Sequence, residues 1–408
     1  IIDRCIECGF CEVNCGSCGF ALSSRQRIVI QREITRLKTA GKEQEAKALE
    51  QAFRKKGKDL CAGDGLCATS CPLKINIGEY IHLVREREMS AAGKNIGQWA
   101  GKHFSTIGNA VSGILGLANA AHSVLGTKVM SSICKGLHNG SGKLIPLWTP
   151  AIPNTVKKAD IAKAKERQEQ QPLKVVYFPS CLNQRLGVTK GDNAKQPLVN
   201  EMTELLNKAG YEVIFPENMQ NLCCGTIWES KGMPEEADRK AAELELALIK
   251  ASEHGQWPIL CDQSPCLYRM RHTMQNLKLY EPIEFIDTFL LDKLDIKQED
   301  IKIAVHATCS TRKMGLTNTL IKVAKLCAKE VLLPEEIGCC AFAGDKGFTE
   351  PELNEWALRK LHGQIEKFQA TEGFSNSRTC EIGLTTHSGI QYKSIVYLVN
   401  RCSNAKKH

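Results

Sequence analysis

The chain has 408 residues, a formal net charge of +9, 43% hydrophobic and 6% aromatic residues, and 20 cysteines, enough for two or three domains that each bury a core. So few aromatics, with no aromatic and basic residues interleaved, exclude a nucleic-acid binder. A chain of this size with no signal peptide among its residues does not read as a small disulfide-stapled secreted domain, so the cysteines need another reason.

Their spacing supplies one. Ile1-Ile2-Asp3 runs straight into Cys5, Cys8, Cys11 and Cys15, and with no Met at position 1 an upstream part is expected. A second run holds Cys61, Cys67 and Cys71-Pro72. Thiolates at the spacing of the first run curl the backbone round an iron–sulfur cube, and Gly9 beside Cys8 permits close backbone approach. In two-cluster chains the last cysteine of each run serves the other cluster. Cys5, Cys8, Cys11 and Cys71 are therefore assigned to cluster one, and Cys15, Cys61 and Cys67 to cluster two. Asp64 stands where the second run should place a cysteine. That leaves a [3Fe-4S] cluster, a [4Fe-4S] cluster with Asp64 as an oxygen ligand, or recruitment of Cys18; Asp64 between Gly63 and Gly65 reads equally well as a turn residue. Zinc needs only four ligands and has no use for two such runs. Thiols kept reduced for metal imply a cytoplasmic location, with the cytoplasmic face of the inner membrane as a peripheral alternative.

Between the runs, residues 24–58 show helical spacing (Ile28, Ile34 and Leu37, then Ala46, Leu49 and Phe53) broken near Gly41, which predicts a helical hairpin. It carries eleven Lys or Arg against four acidic residues, either a solvated arm or a face for anionic lipid or an acidic partner. A further helix is expected from residue 77 to about 88. Residues 1–90 thus read as an all-helical, two-cluster ferredoxin-like domain. Residues 91–150 form a Gly/Ala-rich helical connector whose best apolar window, 107–125, is interrupted by Asn109, Ser112, Asn119, His122 and Ser123. Buried or interfacial helices fit that pattern better than a spanning one, and Cys134 reads as a small buried hydrophobe. Residues 151–172 read as a linker containing a charged helix over 157–171 that Pro172 ends.

Past 172 the pattern changes. Short β-runs at 174–178, 212–215, 258–260 and 302–305 alternate with helices at 197–209, 235–253, 316–330 and 352–369, the signature of α/β units with parallel strands. The segment leading to Cys181 resembles the one leading to Cys309, and the segment leading to Cys223-Cys224-Gly225 matches the one leading to Cys339-Cys340-Ala341. The fold class is therefore α plus α/β, with the helical domain followed by a pseudo-duplicated α/β domain, its copies at 173–295 and 296–408. Each copy presents cysteines at strand ends. Cys181, Cys223, Cys224, Cys261 and Cys266 form the first candidate site; Cys309, Cys339, Cys340 and Cys380 form the second, with fewer ligands. One or two further clusters, or zinc, fit these sets, because adjacent thiolates reach a metal more easily than they form a strained disulfide with each other. Arg185, His306, Arg312, Lys313, Asp345, Lys346 and His387 lie near these motifs, as groups that offset cluster charge, handle protons or simply hydrogen-bond. Cys327 and Cys402 read as structural.

Cys5-Ile6-Glu7-Cys8-Gly9-Phe10-Cys11-Glu12, the run from His306 to Gly315, and the run from Ser375 to Gly383 resemble the C-terminal iron–sulfur half of bacterial FAD-linked D-lactate dehydrogenases, related to the glycolate oxidase iron–sulfur subunit. The paired cysteines are similar to the CCG domains of heterodisulfide reductase, which leaves a reductase-like subunit with a catalytic cluster as the alternative. The resemblance implies an FAD domain upstream that oxidises a D-2-hydroxy acid, and electrons leaving through the clusters to quinone or another acceptor. No Gly-rich phosphate-binding turn occurs here, so these residues are not expected to bind FAD themselves. Gly16 stands where the family tends to place Pro, Cys18 is extra, Ala341 replaces the glycine of the second CCG, and Gly383 occupies the place of a final ligand.

Overall fold

The computed structural model describes residues 2–143, 145–166 and 173–406. The first cysteine loop leads into Ser24–Thr39, a helix opened by a capping box: Gln26 N–H donates to Ser23 Oγ at 3.2 Å and Ser23 N–H to Gln26 Oε1 at 2.8 Å. Gly41, at φ +70°, turns the chain into Glu43–Phe53, and the two helices pack together as the expected hairpin. Asn76 caps Ile77–Glu88 and Ser90 caps Ala91–Lys102. The helix Phe104–Gly140 follows, interrupted by Gly126 at φ +74°. Of the buried or interfacial helices expected here, it is not a buried one. Of its residues only Gly108, His122, Met130 and His138 are buried, while Ile114, Leu117 and Val124 are exposed. Cys134 is likewise half-buried rather than enclosed. Among the described residues no helix is long and apolar enough to cross a membrane. The linker helix appears as Lys158–Glu166; the remainder expected at 167–171, with Pro172, lies outside the described residues.

Strands β1 (Leu173–Phe178), β2 (Tyr211–Ile214), β3 (Ile259–Cys261) and β4 (Leu279–Tyr280) form one sheet in the order β2-β1-β3-β4, all parallel. After β5 (Leu294–Ile296), strands β6 (Glu299–Val305), β7 (Ala328–Leu332), β8 (Glu372–Ser375) and β9 (Tyr392–Ser394) repeat that order as β7-β6-β8-β9, again all parallel. β10 (Ser403–Ala405) returns to pair antiparallel with β5. In each sheet the connection reverses direction between the first and third strands, so a crevice opens at their carboxyl ends. All of the paired-cysteine motifs lie there.

Two expected helices end early. Residues expected at the end of a helix over 316–330 belong to β7, because the helix Thr317–Cys327 stops where Ala328–Leu332 pairs in parallel with β6. The helix expected over 352–369 is two, Pro351–Leu358 and Leu361–Phe368. One apolar core runs under both sheets, with Val175, Tyr177 and Leu205 from the first repeat against Ile303, Val305, Leu320 and Phe374 from the second. The closing helix Ile395–Cys402 joins them by packing on Leu198–Lys208 and Thr317–Cys327. Cys402 Sγ lies 3.6 Å from the Cys327 carbonyl inside this core, away from every motif.

Candidate metal centres

Cys5, Cys8, Cys11 and Cys71 line a single pocket, walled by Ile6, Ile28, Leu73, Ile75 and Ile77 with Arg25 at its edge. Cys8 is exposed and the other three are half-buried. The loop takes this shape because Glu7 and Gly9 adopt left-handed backbone at φ +59° and +85°, which turns Glu7 N–H toward Cys5 Sγ at 3.4 Å. Burial and the neighbouring Cys71 thiol push the Cys11 thiol up to about 11. The basic hairpin is not a free arm at this end. Arg32 Nη2 donates to the carbonyls of Asp3 and Cys5, both at 2.8 Å, and Arg25 pairs with Glu12 at 3.2 Å.

Around the cluster-two set, Cys61 and Cys67 are buried and Cys15 is half-buried. Burial, then the charge of Asp64, raises the Cys67 thiol to about 12. Asp64 Oδ1 accepts the Leu66 N–H at 2.8 Å, with Gly63 and Gly65 at φ +67° and +73°, so the turn role read for it is filled. Cys18 lies close enough to Cys15 to feel its charge, while its carbonyl accepts from Trp356 Nε1 at 2.9 Å.

Arg27 is the residue that sequence reasoning missed here. It is 1% exposed, and donates to the Gly57 carbonyl at 2.6 Å, Ser17 Oγ at 3.0 Å and the Leu60 carbonyl at 3.2 Å, with Nη1 3.7 Å from Cys15 Sγ. Among the described residues it makes no salt bridge to a carboxylate. A guanidinium this deeply buried requires a negative partner, and thiolate sulfur at Cys15 is what faces it. The donor set thus fits an anionic thiolate-bound cluster. Arg85, which donates to the carbonyls of Lys58 at 3.2 Å and Cys61 at 3.4 Å, adds positive charge on the other side. Only its helix position marks Arg27 in the sequence: it falls on the stripe of Ile28 and Ile34, where a charge is out of place.

At the first CCG motif the chain brings all five predicted cysteines together at the carboxyl ends of β1, β2 and β3. The thiols form a chain of contacts: Cys181 with Cys223, Cys223 with Cys224, and Cys224 with Cys266. Cys261, fully buried at the end of β3, faces Cys224 and Cys181. Cys224 sits at the acceptor end. Hydrogen bonds from Cys223, Cys266 and Thr226 lower its thiol well below the usual range, with Thr226 Oγ1 3.2 Å away. Gly225 at φ +88° lets the Cys-Cys turn lie against the next helix, where a Cβ would overlap the Ala237 carbonyl. Arg185 faces Cys181 and Cys223, in space left by Gly108 of the long helix.

The second motif repeats this turn with Ala341 at φ +56° in place of glycine. Cys309 contacts Cys339, Cys339 contacts Cys340, and Cys340 Sγ lies 3.0 Å from Cys380 Sγ. Arg312 faces Cys339 and Cys309 and donates to the Ile337 carbonyl at 3.0 Å, and Lys313 lies over the Tyr268 ring at 3.8 Å. His306 stands among the thiols rather than outside them. One of its ring nitrogens and the sulfurs of Cys340 and Cys380 lie within 4.8 Å of one another, and burial beside Arg312 lowers the imidazole to about 3. His387, expected near the site, is elsewhere. It lines a separate cavity with His138, Phe348 and Glu355, seven residues further along the helix from Cys380, roughly 10 Å at 1.5 Å per residue. Asp345 pairs with Lys231, and Lys346 donates to the Asp59 carbonyl beside cluster two, so neither reaches the thiols.

Residues 1–75 match the family of 4Fe-4S dicluster domains, and residues 175–271 and 303–385 each match the CCG cysteine-rich domain. These matches support an iron–sulfur, CCG-type protein. No curated protein matches the chain. An aspartate racemase homologue from Pyrococcus horikoshii OT3 is similar in structure at 11% identity and a TM-score of 0.25, over 56% of this chain and 96% of that one, a likeness too slight to carry an argument. As a CCG-type iron–sulfur protein the chain is an electron-transfer module, and the packing of its parts bears on that role. The cluster-two loops lie against the second CCG turn: a Cβ added to Gly16 would stand 3.6 Å from the Ala341 Cβ, one added to Gly338 would stand 3.6 Å from Leu66 Cδ1, and the charge of Asp64 acts on Cys309 and Cys339.

Proposed function

We propose that the chain is the electron-transfer part of an oxidoreductase, a FAD-linked D-2-hydroxy acid dehydrogenase with D-lactate as the first candidate substrate. It takes electrons from an FAD domain and delivers them to quinone or another acceptor. The observation that supports this best is the packing of Phe10–Asn14, which carries Cys11 of the cluster-one set, on Leu66–Ala68, which carries Cys67 of the cluster-two set, since a module that relays electrons needs its redox sites side by side. When bound, the clusters supply one-electron carriers whose potentials span roughly −700 to +450 mV with ligand and surroundings. The chain's own residues do the rest. Cys5, Cys8, Cys11 and Cys71 hold one group, Cys15, Cys61 and Cys67 the next, and the five cysteines of the first CCG motif a third. Ile28, Ile75 and Ile77 keep water from the cysteine pocket, and Arg27 and Arg85 offset the negative charge that thiolates bring.

Delivery to a membrane quinone goes with peripheral contact at the cytoplasmic face, for which the basic hairpin and the exposed apolar residues of Phe104–Gly140 are the available surfaces. The test uses the full enzyme with its flavin part. Cys8→Ser and Cys224→Ser are each expected to retain D-lactate-dependent reduction of a dye that accepts from flavin, and to lose quinone reduction. Quinone reduction at wild-type rates in both variants would refute the reading, as would a full-length enzyme that holds no FAD.

A further inference from the structure

The two repeats share a topology and a Cys-Cys turn, yet their crevices hold different donors. Strand pairing aligns them residue by residue. Val176 of β1 pairs with Ile259 and Phe178 with Cys261, whereas Ala304 of β6 pairs with Gly373. Cys261 therefore corresponds to Ser375, Cys266 to Cys380, and Phe178 to His306. The second repeat has lost one thiol and gained an imidazole.

That imidazole is 2% exposed, and its Nε2 has no hydrogen-bond partner. A buried ring nitrogen with nothing to bond is costly unless a ligand completes it. Its surroundings say which ligand. One ring nitrogen of His306 and the sulfurs of Cys340 and Cys380 lie within 4.8 Å of one another, and among the described residues no other three such donors gather as closely. Donors that share one tetrahedral ion, at about 2.0–2.3 Å from it, stand about 3.5–3.8 Å apart. Thiolates of a four-iron cube each go to a different iron and point away from one another, so they spread wider. The sulfurs of the first repeat touch in pairs as those of the second do, but among the described residues they gather no triad of donors within the same distance. Cys339, in contact with Cys340 and accepting the Ala341 N–H at 3.2 Å, is the thiol at hand for a fourth position.

We propose that the second CCG site is a mononuclear centre for a thiophilic divalent metal of the zinc class, bound by His306 Nε2 and the sulfurs of Cys339, Cys340 and Cys380. The full donor set leaves no open position, so the centre is structural. It fixes the turn against which the cluster-two loops pack, and it takes no electron.

The experiment is zinc analysis with zinc-edge X-ray absorption on the full chain, its N-terminal clusters assembled anaerobically. The expected result is about one zinc per chain, with a first shell of one nitrogen and three sulfurs. His306→Phe, which restores the residue of the first repeat, should remove the nitrogen and speed zinc loss to a chromogenic chelator at least about tenfold. His306→Cys should restore retention with an all-sulfur shell. A wild-type shell of sulfur alone, a chain without zinc, or a loss of about four irons and four sulfides in Cys340→Ser would each overturn the proposal. Because the wild-type shell decides the matter, a variant that fails to fold leaves the test intact. Iron bound at the N-terminal cysteines is read separately, so failure here is distinct from failure of the electron-transfer reading.

Discussion

Arg27 shows how far a single side chain can be read. Three backbone carbonyls and a hydroxyl accept from it, and its remaining charge faces Cys15. Arg27→Met removes the donors but leaves buried carbonyls without partners, which should destabilise the chain by about 2–4 kcal/mol. It should also shift the potential of the neighbouring centre to more negative values, because a positive charge that favours the reduced form is gone. A redox titration followed by EPR checks the second effect, and an unchanged potential would show that Arg27 serves only the fold. Arg27 and His306 were both present in the sequence, but neither role was legible there. A charge on an apolar helical stripe and a histidine one residue past a strand become informative only when the partners, 10 or more residues away in the chain, are placed beside them. The cysteines differ because their chemistry is written in local spacing. Even so, Asp64 carries more than one reading, and the Leu66 N–H bond to its Oδ1 fills the turn role while leaving Oδ2 apart from it.

At the level of elements, both Cys-Cys turns need a residue with left-handed backbone after the second cysteine. Gly225 meets that need at no steric cost, and Ala341 meets it under strain. Ala341→Gly is expected to stabilise the chain by about 1 kcal/mol, whereas Gly225→Ala should destabilise it by several kcal/mol, because its Cβ would strike the Ala237 carbonyl. Denaturant unfolding with iron content measured in parallel separates the two. The hairpin, the helix over 77–88 and strands β1, β2, β3 and β6 could be read from helical spacing or short apolar runs, whereas β7, with Lys329 and Glu330 side by side, reads as the end of a helix. β4 and β9, with two and three residues, could not be read, because they are too short to show alternation and are strands only through pairing with β3 and β8. The exposed face of Phe104–Gly140 has a similar cause. An apolar stripe identifies a helix but not whether anything covers it.

Across the whole molecule, Glu281 joins the repeats: following β4, it accepts from Asn376 Nδ2 of the second repeat at 2.5 Å and from Ile283 N–H at 2.8 Å. Complete burial raises its carboxyl from 4.5 to about 8. The folded chain thus holds this proton more tightly than the unfolded one. The associated stability is present in full below the unfolded value near 4.5 and is lost as pH rises through 8, at up to about 1.4 kcal/mol per pH unit. Melting temperatures between those limits should fall with pH, and Glu281→Gln should flatten the slope; an identical slope in the variant would place the titration elsewhere. The unequal enclosure of the cysteines has a further consequence. Cys8 stands in the open while Cys61, Cys67, Cys223, Cys224, Cys261 and Cys266 are closed in. Oxygen therefore meets these sulfurs in a set order. Exposure to air should strip the outermost centre within a first, fast phase and leave the inner ones for a slower one, so that an aerobically handled sample is a chain cut at one end rather than a uniformly decayed protein.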